Sequence, residues 1–492
     1  MGDGHDRRRN DMDDREIALL DDSLRAMQAA CLADPYPTAE QRRANLRALV
    51  AMMIRYRMEI REALKQDFAT HPDVISDLVE VVGVVGRARS AIADLDDWMA
   101  PESRHADPAM FGTGRAYVQY QPKGVIGLIV PWNFPIELSC GPLSDMLAAG
   151  NRVIIKPSEL APASSALLRR MIAETFPSDL VTVIEGGVAL SQAFCTCKWD
   201  HLLYTGSTHV GREVMRAAAE NLVPVTLELG GKCPAVLTRS GMTAKSVGSI
   251  LGMKAMKNGQ VCVSVDHVMV PAGEKARFVE LAQAHMRDVM PGFFASDGVT
   301  GLINDRHYAR VIDLIDDARA GGAQVISLAE DTPSDPAARR IPLHLVLDAA
   351  PDARVMTDEV FGPVLPVVEY DGVDDAIARI NAGDRPLGIY VYGDNQGEID
   401  RIVARTASGG VTVNGAALHG ALSTLGFGGI GASGMGRHHG HDGFREFSNP
   451  RSVFVRGEND MTDTLYAPYG AVAADLIEAA LAEPAASREM SA

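Results

Sequence analysis

The stretch Val125-Ile-Gly-Leu-Ile-Val130, followed at once by Pro131-Trp132-Asn133-Phe134-Pro135, decides the fold. Its first half is a nearly continuous apolar run. That is the pattern of a strand covered on both faces, as in a parallel sheet. Similar runs recur downstream at Val153-Ile-Ile155, Val181-Thr-Val-Ile184, Leu202-Leu-Tyr204 and Val225-Thr-Leu-Glu-Leu229, with a helical stretch from Pro162 to Thr175 among them. Strand alternating with helix predicts a parallel α/β sheet. A second series runs from Pro234-Ala-Val-Leu237 to about Gly410. It includes Val265–Val270, Gln324–Ser327, Val364–Val368 and Gly388–Tyr392. The join near Gly230-Gly231 is a candidate domain boundary. Upstream, Asp14 to about Ala100 reads as helical. Arg115–Gln121 alternates like a half-exposed strand, and Ser452-Val-Phe-Val455 is a closing strand candidate.

Composition bounds the answer. A chain of 492 residues suggests two or three domains. Its 47% hydrophobic and 23% charged content is that of a globular enzyme. A formal net charge of -17 argues against nucleic acid as a partner, because that surface must be basic. Six cysteines are scattered at 31, 140, 195, 197, 233 and 262, which is no disulfide scaffold. Cys195-Thr196-Cys197 has too short a gap for a zinc C-x-x-C. His438, His439 and His441 fit no standard ligand spacing and are expected as a loop of solvated histidines, so no metal is expected. The N-terminus lacks an apolar signal core, and Asp6 stands where myristoylation wants Ser or Thr. No run of about 18 apolar residues suggests a membrane anchor. A cytoplasmic location is expected, and it would keep a working thiol reduced. Residues 471–481 read as a short amphipathic helix.

Three side chains carry chemistry. Cys262, in Lys257-Asn-Gly-Gln-Val-Cys262, is the candidate nucleophile. Glu228, in Thr226-Leu-Glu-Leu-Gly-Gly231, is near a strand end and is the candidate base. Asn133 is the candidate oxyanion donor, alongside the backbone N–H of Cys262. Lys156 and Glu159 directly follow a strand, where open α/β sheets bind ligands. Lys156 could hydrogen-bond an adenosine ribose, and Glu159 could accept from its 2′-OH. Gly206-Ser207-Thr-His-Val-Gly211 joins a strand to a helix and offers an anion site for a pyrophosphate. A true G-x-G-x-x-G, Gly429–Gly434, lacks strand and helix flanks and is rejected as the dinucleotide site.

The segments PWNFP, LYTGSTHVG, LELGGK, NGQVC and EVFGP, in that order, resemble the aldehyde dehydrogenase superfamily. The likeness runs from roughly Asp34 to Gly457. Lys156-Pro-Ser-Glu159, Gly434-Met-Gly436, His439-Gly440 and Phe444-Arg-Glu-Phe-Ser448 resemble its class 3-like branch, which includes coniferyl-aldehyde dehydrogenases. The resemblance implies a Rossmann-like dinucleotide-binding domain (1–114 and 125–229) and an α/β catalytic thiol domain (230–420). It also implies a small bridging, oligomerising β arm (115–124 and 448–460) and a tail (461–492). It places Trp132, Glu359 and Phe361 on the cofactor with Lys156, Glu159, Gly206, Ser207 and Gly211. It puts Gly429–Gly434 on the substrate side and His419 near the substrate. Gly426 stands where the family commonly has proline. The implied reaction is oxidation of an aromatic or medium- to long-chain aldehyde to its carboxylate, with NAD or NADP. NAD is favoured, because the Glu159 carboxylate would oppose a 2′-phosphate. A homodimer is expected. The rivals are a CoA-acylating relative, a cysteine hydrolase using only the thioester-cleaving half, and a non-catalytic scaffold on this fold. Glu228 argues for water as acyl acceptor, Lys156 and Glu159 argue against a hydrolase, and the intact Cys262, Glu228 and Asn133 argue against a scaffold.

Overall fold

In the computed structural model, which describes residues 3–329 and 331–482, the apolar run at Val125 is an interior strand with every residue buried. In chain order the strands are β1 (Glu102–Arg104), β2 (Arg115–Pro122), β3 (Val125–Ile129), β4 (Arg152–Lys156), β5 (Val181–Val183), β6 (His201–Gly206), β7 (Val225–Leu229) and β8 (Pro234–Leu237). They continue with β9 (His267–Pro271), β10 (Gln324–Ser327), β11 (His344–Leu347), β12 (Val364–Tyr370), β13 (Gly388–Tyr392), β14 (Gly410–Val413), β15 (Gly434–Met435) and β16 (Ser448–Val455).

The larger compact unit, Met1–Trp98 with Pro122–Ser448, holds two sheets. The first has six strands in the order β15-β7-β6-β3-β4-β5. All of its pairs are parallel except β15 with β7. The second has seven, in the order β10-β11-β12-β9-β8-β13-β14, parallel apart from β10 with β11. The chain passes from one sheet to the other between Leu229 and Pro234. In the first sheet β3 leads outward to β4 and β5, and the chain then returns to place β6 on the opposite side of β3. The carboxyl ends of β3 and β6 therefore flank the topological switch point, where such sheets leave a crevice.

One core cluster packs Leu20, Leu24 and Met27 of the first helix against Val125, Ile154, Leu202 and Leu227 of this sheet. That helix thus covers a face that apolar parallel strands cannot leave wet. A second cluster joins Val236, Met269, Ile389 and Val391 to the helices Val373–Ala382 and Gln396–Arg405. The smaller unit, Met99–Gln121 with Asn449 onward, holds a three-stranded sheet in the order β1-β2-β16. Phe111 and Phe454 meet edge to face within it.

Three features depart from the sequence reading. His438 and His439 are buried, not solvated, and only His441 is exposed. Their rings pack with Phe427, and the Arg87 guanidinium contacts His439 Nε2. Gly434 and Met435 form a strand too short to leave a sequence pattern, and it joins the first sheet against Glu228 and Leu227. The N-terminal helical region contains a π-helical segment, Ser76–Gly83.

Candidate active site

The carboxyl ends of β3, β6 and β7 open into one pocket. Its lining includes Pro131, Trp132, Asn133, Thr205, Gly206, Ser207, Glu228 and Leu229 from the first sheet's side. Gly230, Cys262, His307, Arg310, Glu359 and Phe361 complete it. The structure thus brings together Asn133, Glu228, Cys262, Trp132, Gly206, Ser207, Glu359 and Phe361. Lys156, Glu159 and Gly211 are not among the lining residues. Lys156 is the last residue of β4 and is buried, and its Nζ donates to Glu159 Oε2 at 3.1 Å and to the Pro157 carbonyl at 2.9 Å. Gly211 sits in the helix Thr208–Ala219, where a Cβ would press on the Leu229 side chain, so its smallness lets helix and sheet approach.

Cys262 is half-buried at the end of an unusual turn. Lys257, Asn258 and Gly259 all have positive φ, at 51°, 52° and 76°. At Gly259 a Cβ would strike the Gly362 carbonyl, so only glycine lets the thiol loop pack against the Glu359–Pro363 turn. The Gln260 side chain ties the loop down. Its Nε2 donates to the carbonyls of Lys257 (2.9 Å) and Gly301 (3.0 Å), and its Oε1 accepts from the Ile303 N–H (3.0 Å). Asn133 Nδ2 donates to the Gln260 carbonyl at 3.2 Å, fixing this amide beside the thiol loop. On the far side the Tyr390 hydroxyl donates to the Val263 carbonyl at 2.5 Å.

Burial dominates the electrostatics. The Cys262 thiol is pushed well above its usual range, first by desolvation and then by the nearby Glu228, Glu359 and Cys233. Glu228, the fourth residue of β7, is buried and raised to about 8 by the same desolvation. Arg437 and the Gly429 N–H oppose the shift. Its Oε1 finds no hydrogen-bond partner among the described residues. A carboxyl that is costly to ionise and left with a free oxygen suits proton exchange with a water or a thiol. Gly429–Gly434 therefore touches the Glu228 strand directly. The Gly429 N–H approaches the Glu228 carboxylate, and the Ser433 carbonyl accepts from Leu229 N at 3.1 Å.

Glu359 is likewise raised, to about 7, by burial and the charge of Asp266. Its turn is clamped from two sides. Arg310 Nη2 donates to the carbonyls of Val360 (2.8 Å) and Phe361 (3.0 Å). Lys232 Nζ reaches Asp266 Oδ2 (2.5 Å) and the carbonyls of Val355 and Asp358. Phe361 meets Trp132 edge to face at 5.4 Å, and His307 lies 4.9 Å from the same indole. No motif in the sequence marks His307 or Arg310. Their only local signal is the Asn304 cap of the helix Asp305–Ala320. His419 is tied to Thr412 Oγ1 at 2.9 Å and faces the Tyr390 and Phe427 rings.

The residues fit a dinucleotide. Ser207 lines the pocket and caps the helix Thr208–Ala219, its Oγ accepting from Val210 N at 3.4 Å, and a helix N-terminus is suited to an anion. At Gly206 a Cβ would strike the Tyr204 hydroxyl, and at Gly230 it would strike the Glu359 carboxylate, so both glycines keep the cradle open. No group of three or more His, Cys, Asp or Glu able to hold a metal occurs among the described residues.

Comparison with known proteins bears on the family and the fold. The aldehyde dehydrogenase family profile matches residues 18–453. A probable coniferyl aldehyde dehydrogenase of Caulobacter vibrioides is 44% identical over 463 residues, covering 93% of this chain and 96% of that one. A dimeric NADP-preferring aldehyde dehydrogenase of Mus musculus is 38% identical, over 77% of this chain and 82% of its own. The substrate-bound structure of Staphylococcus aureus AldH superimposes with a TM-score of 0.87 at 29% identity, covering 94% of this chain and 99% of that one.

Proposed function

This chain belongs to the aldehyde dehydrogenase family, enzymes that oxidise aldehydes to acids with NAD(P), and on that premise we propose how its residues divide the work. Cys262 is the nucleophile. Its Sγ bonds to the aldehyde carbon as the thiol proton is released through water to solvent. The Asn133 amide donates to the resulting oxyanion. A nicotinamide bound in the pocket supplies the hydride acceptor. The Glu228 carboxylate then takes a proton from the water that attacks the thioester and passes it to the departing Cys262 sulfur, which releases the acid and restores the thiol. The observation carrying this reading is that Asn133, Glu228 and Cys262 line one pocket at the switch point, with Glu359 and Phe361. Formation of reduced nicotinamide with an aldehyde panel tests it. Aldehyde-dependent reduction must vanish in Cys262→Ala.

The proposed substrate class is aromatic aldehydes of the coniferyl type. Support comes from the name borne by the 44% identical relative. Higher kcat/KM for coniferyl aldehyde than for a medium-chain alkanal is the expected result. For the cofactor we propose NAD with NADP still usable. Glu159 lies by the carboxyl end of β4, but its contact with Lys156 offsets part of the charge that would repel a 2′-phosphate. Trp132, Gly206, Ser207, Glu359 and Phe361 would hold the remaining cofactor, with Gly211 shaping the helix behind it. The division at residue 230 into cofactor and thiol domains is supported by the chain's passage between the two sheets there. We also propose a homodimer built through residues 115–124 and 448–460. Among the described residues no helix is long and apolar enough to cross a membrane. All six cysteines are free, which suits the proposed cytoplasmic location.

A further inference from the structure

Beneath the thiol loop lies a buried ion pair that the reaction steps above do not use. Lys257 Nζ is 3.2 Å from Glu80 Oε1, and both side chains are fully buried. The ammonium also lies 4.4 Å from the centroid of the Phe68 ring and 4.4 Å from that of Phe134. The other Glu80 oxygen accepts from the N–H groups of Ile136 (3.0 Å) and Glu137 (2.8 Å), where the helix Glu137–Ala149 begins. Glu80 itself sits on the π-helical segment, a form of helix often found at functional sites.

Each partner thus holds one of the two segments that build the site. Lys257 is the first of the left-handed residues of the thiol loop, and its carbonyl accepts from both the backbone N–H (3.1 Å) and the Nε2 (2.9 Å) of Gln260. The Gln260 carbonyl is in turn the acceptor for Asn133. Glu80 grips the backbone just after Asn133. Left-handed backbone at Lys and Asn persists only where its surroundings over-determine it. A charge pair removed from water is poor evidence for stability but can fix a unique arrangement.

We propose that Lys257 and Glu80 are positioning residues, which hold the Asn133 amide in register with Cys262 so that it meets the oxyanion. The inference rests on the role given to Asn133 above. A small misplacement of a reacting group can cost as much as about a hundredfold in rate, which sets the scale of the expected effect.

The test is a cycle of variants: Lys257→Met/Glu80→Gln, Asn133→Ala, and all three together. Removing both charges avoids stranding one of them in the core. In the first variant kcat should fall by at least about tenfold, with cofactor Kd unchanged and the near-UV spectrum of the folded protein retained. In the Asn133→Ala background the same two changes should cost nothing further, because the group they position is gone. An unchanged kcat in the charge-free variant, or an equal loss with and without Asn133, overturns the proposal. Should Asn133→Ala alone keep the wild-type kcat, the oxyanion reading fails, and the positioning role fails with it. Where the charge-free variant does not fold, Lys257→Gln replaces it, keeping a donor toward Glu80. A smaller loss of kcat is then expected, again absent without Asn133, and an additive loss overturns the proposal.

Discussion

At the level of single residues, the site works by making charge expensive. Glu228 needs to be ionised to accept a proton, yet burial lifts its pKa to about 8. Below that pH the carboxyl is mostly protonated, and as pH rises through it the base forms. Steady-state turnover should therefore climb through about pH 8, and a burst of reduced cofactor ahead of slower turnover should be most pronounced below it. In Glu228→Gln the burst should persist while the steady state drops, and stopped-flow absorbance reads both. Equal slowing of both phases would give Glu228 another role. The same shift has a stability consequence. The native state holds a proton that the unfolded chain has already released above the usual carboxylate range, so this group's contribution is lost as pH rises toward 8. Melting curves of Glu228→Gln should fall less steeply over that interval. At Glu159, a lone carboxylate near a ribose would disfavour a 2′-phosphate by roughly 1–2 kcal/mol, and the Lys156 contact reduces this. Glu159→Gln should lower the NAD/NADP ratio of kcat/KM by less than about tenfold. An unchanged ratio would mean that Glu159 does not set the preference.

Elements position these residues by their ends. β7 delivers Glu228 at its carboxyl end, and β15 fixes that end from outside the parallel series. Gly434 makes this contact possible: its φ is 134°, and a Cβ there would strike the Leu227 carbonyl. Gly434→Ala combines strain with displacement of the Glu228 strand. We expect a loss of roughly 1–3 kcal/mol in stability, read by denaturant unfolding, together with a lowered kcat. A variant with wild-type turnover would show that β15 does not hold the base. A strand of two residues leaves no periodicity, so nothing in the sequence marks Gly434 and Met435 as a strand. The histidine pair failed for a related reason. His438 and His439 carry no local sign of burial, because the residues covering them, Phe427 and Arg87, come from elsewhere in the chain.

For the molecule as a whole, the proposed dimer turns on one sheet edge. β16 is an edge strand of eight residues, and Phe454 and Val455 on it are exposed. An unpaired edge of that length is a template for another chain. Light scattering should give a particle of twice the 52.6 kDa chain mass. Ser452 and Val453 are neighbours, so the N–H of one of them faces the outer edge. Of Ser452→Pro and Val453→Pro, the outward one should shift the mass toward the monomer. A wild-type protein at the single-chain mass would end the dimer proposal.

What the sequence determined by itself was local. Apolar runs of strand length marked the buried parallel strands from Val125 to Leu229, since burial on both faces forbids alternation. The aldehyde dehydrogenase character was legible too, because its motifs are short segments at strand ends and tight turns. Tertiary structure alone decided what surrounds them. Lys257 and Glu80 are 177 positions apart, and nothing in either neighbourhood announces the other. The same holds for Arg310 on the Phe361 turn and Arg437 beside Glu228. A pKa, a clamp or a buried ion pair depends on which distant groups exclude water from a side chain, and only the folded chain brings those groups together.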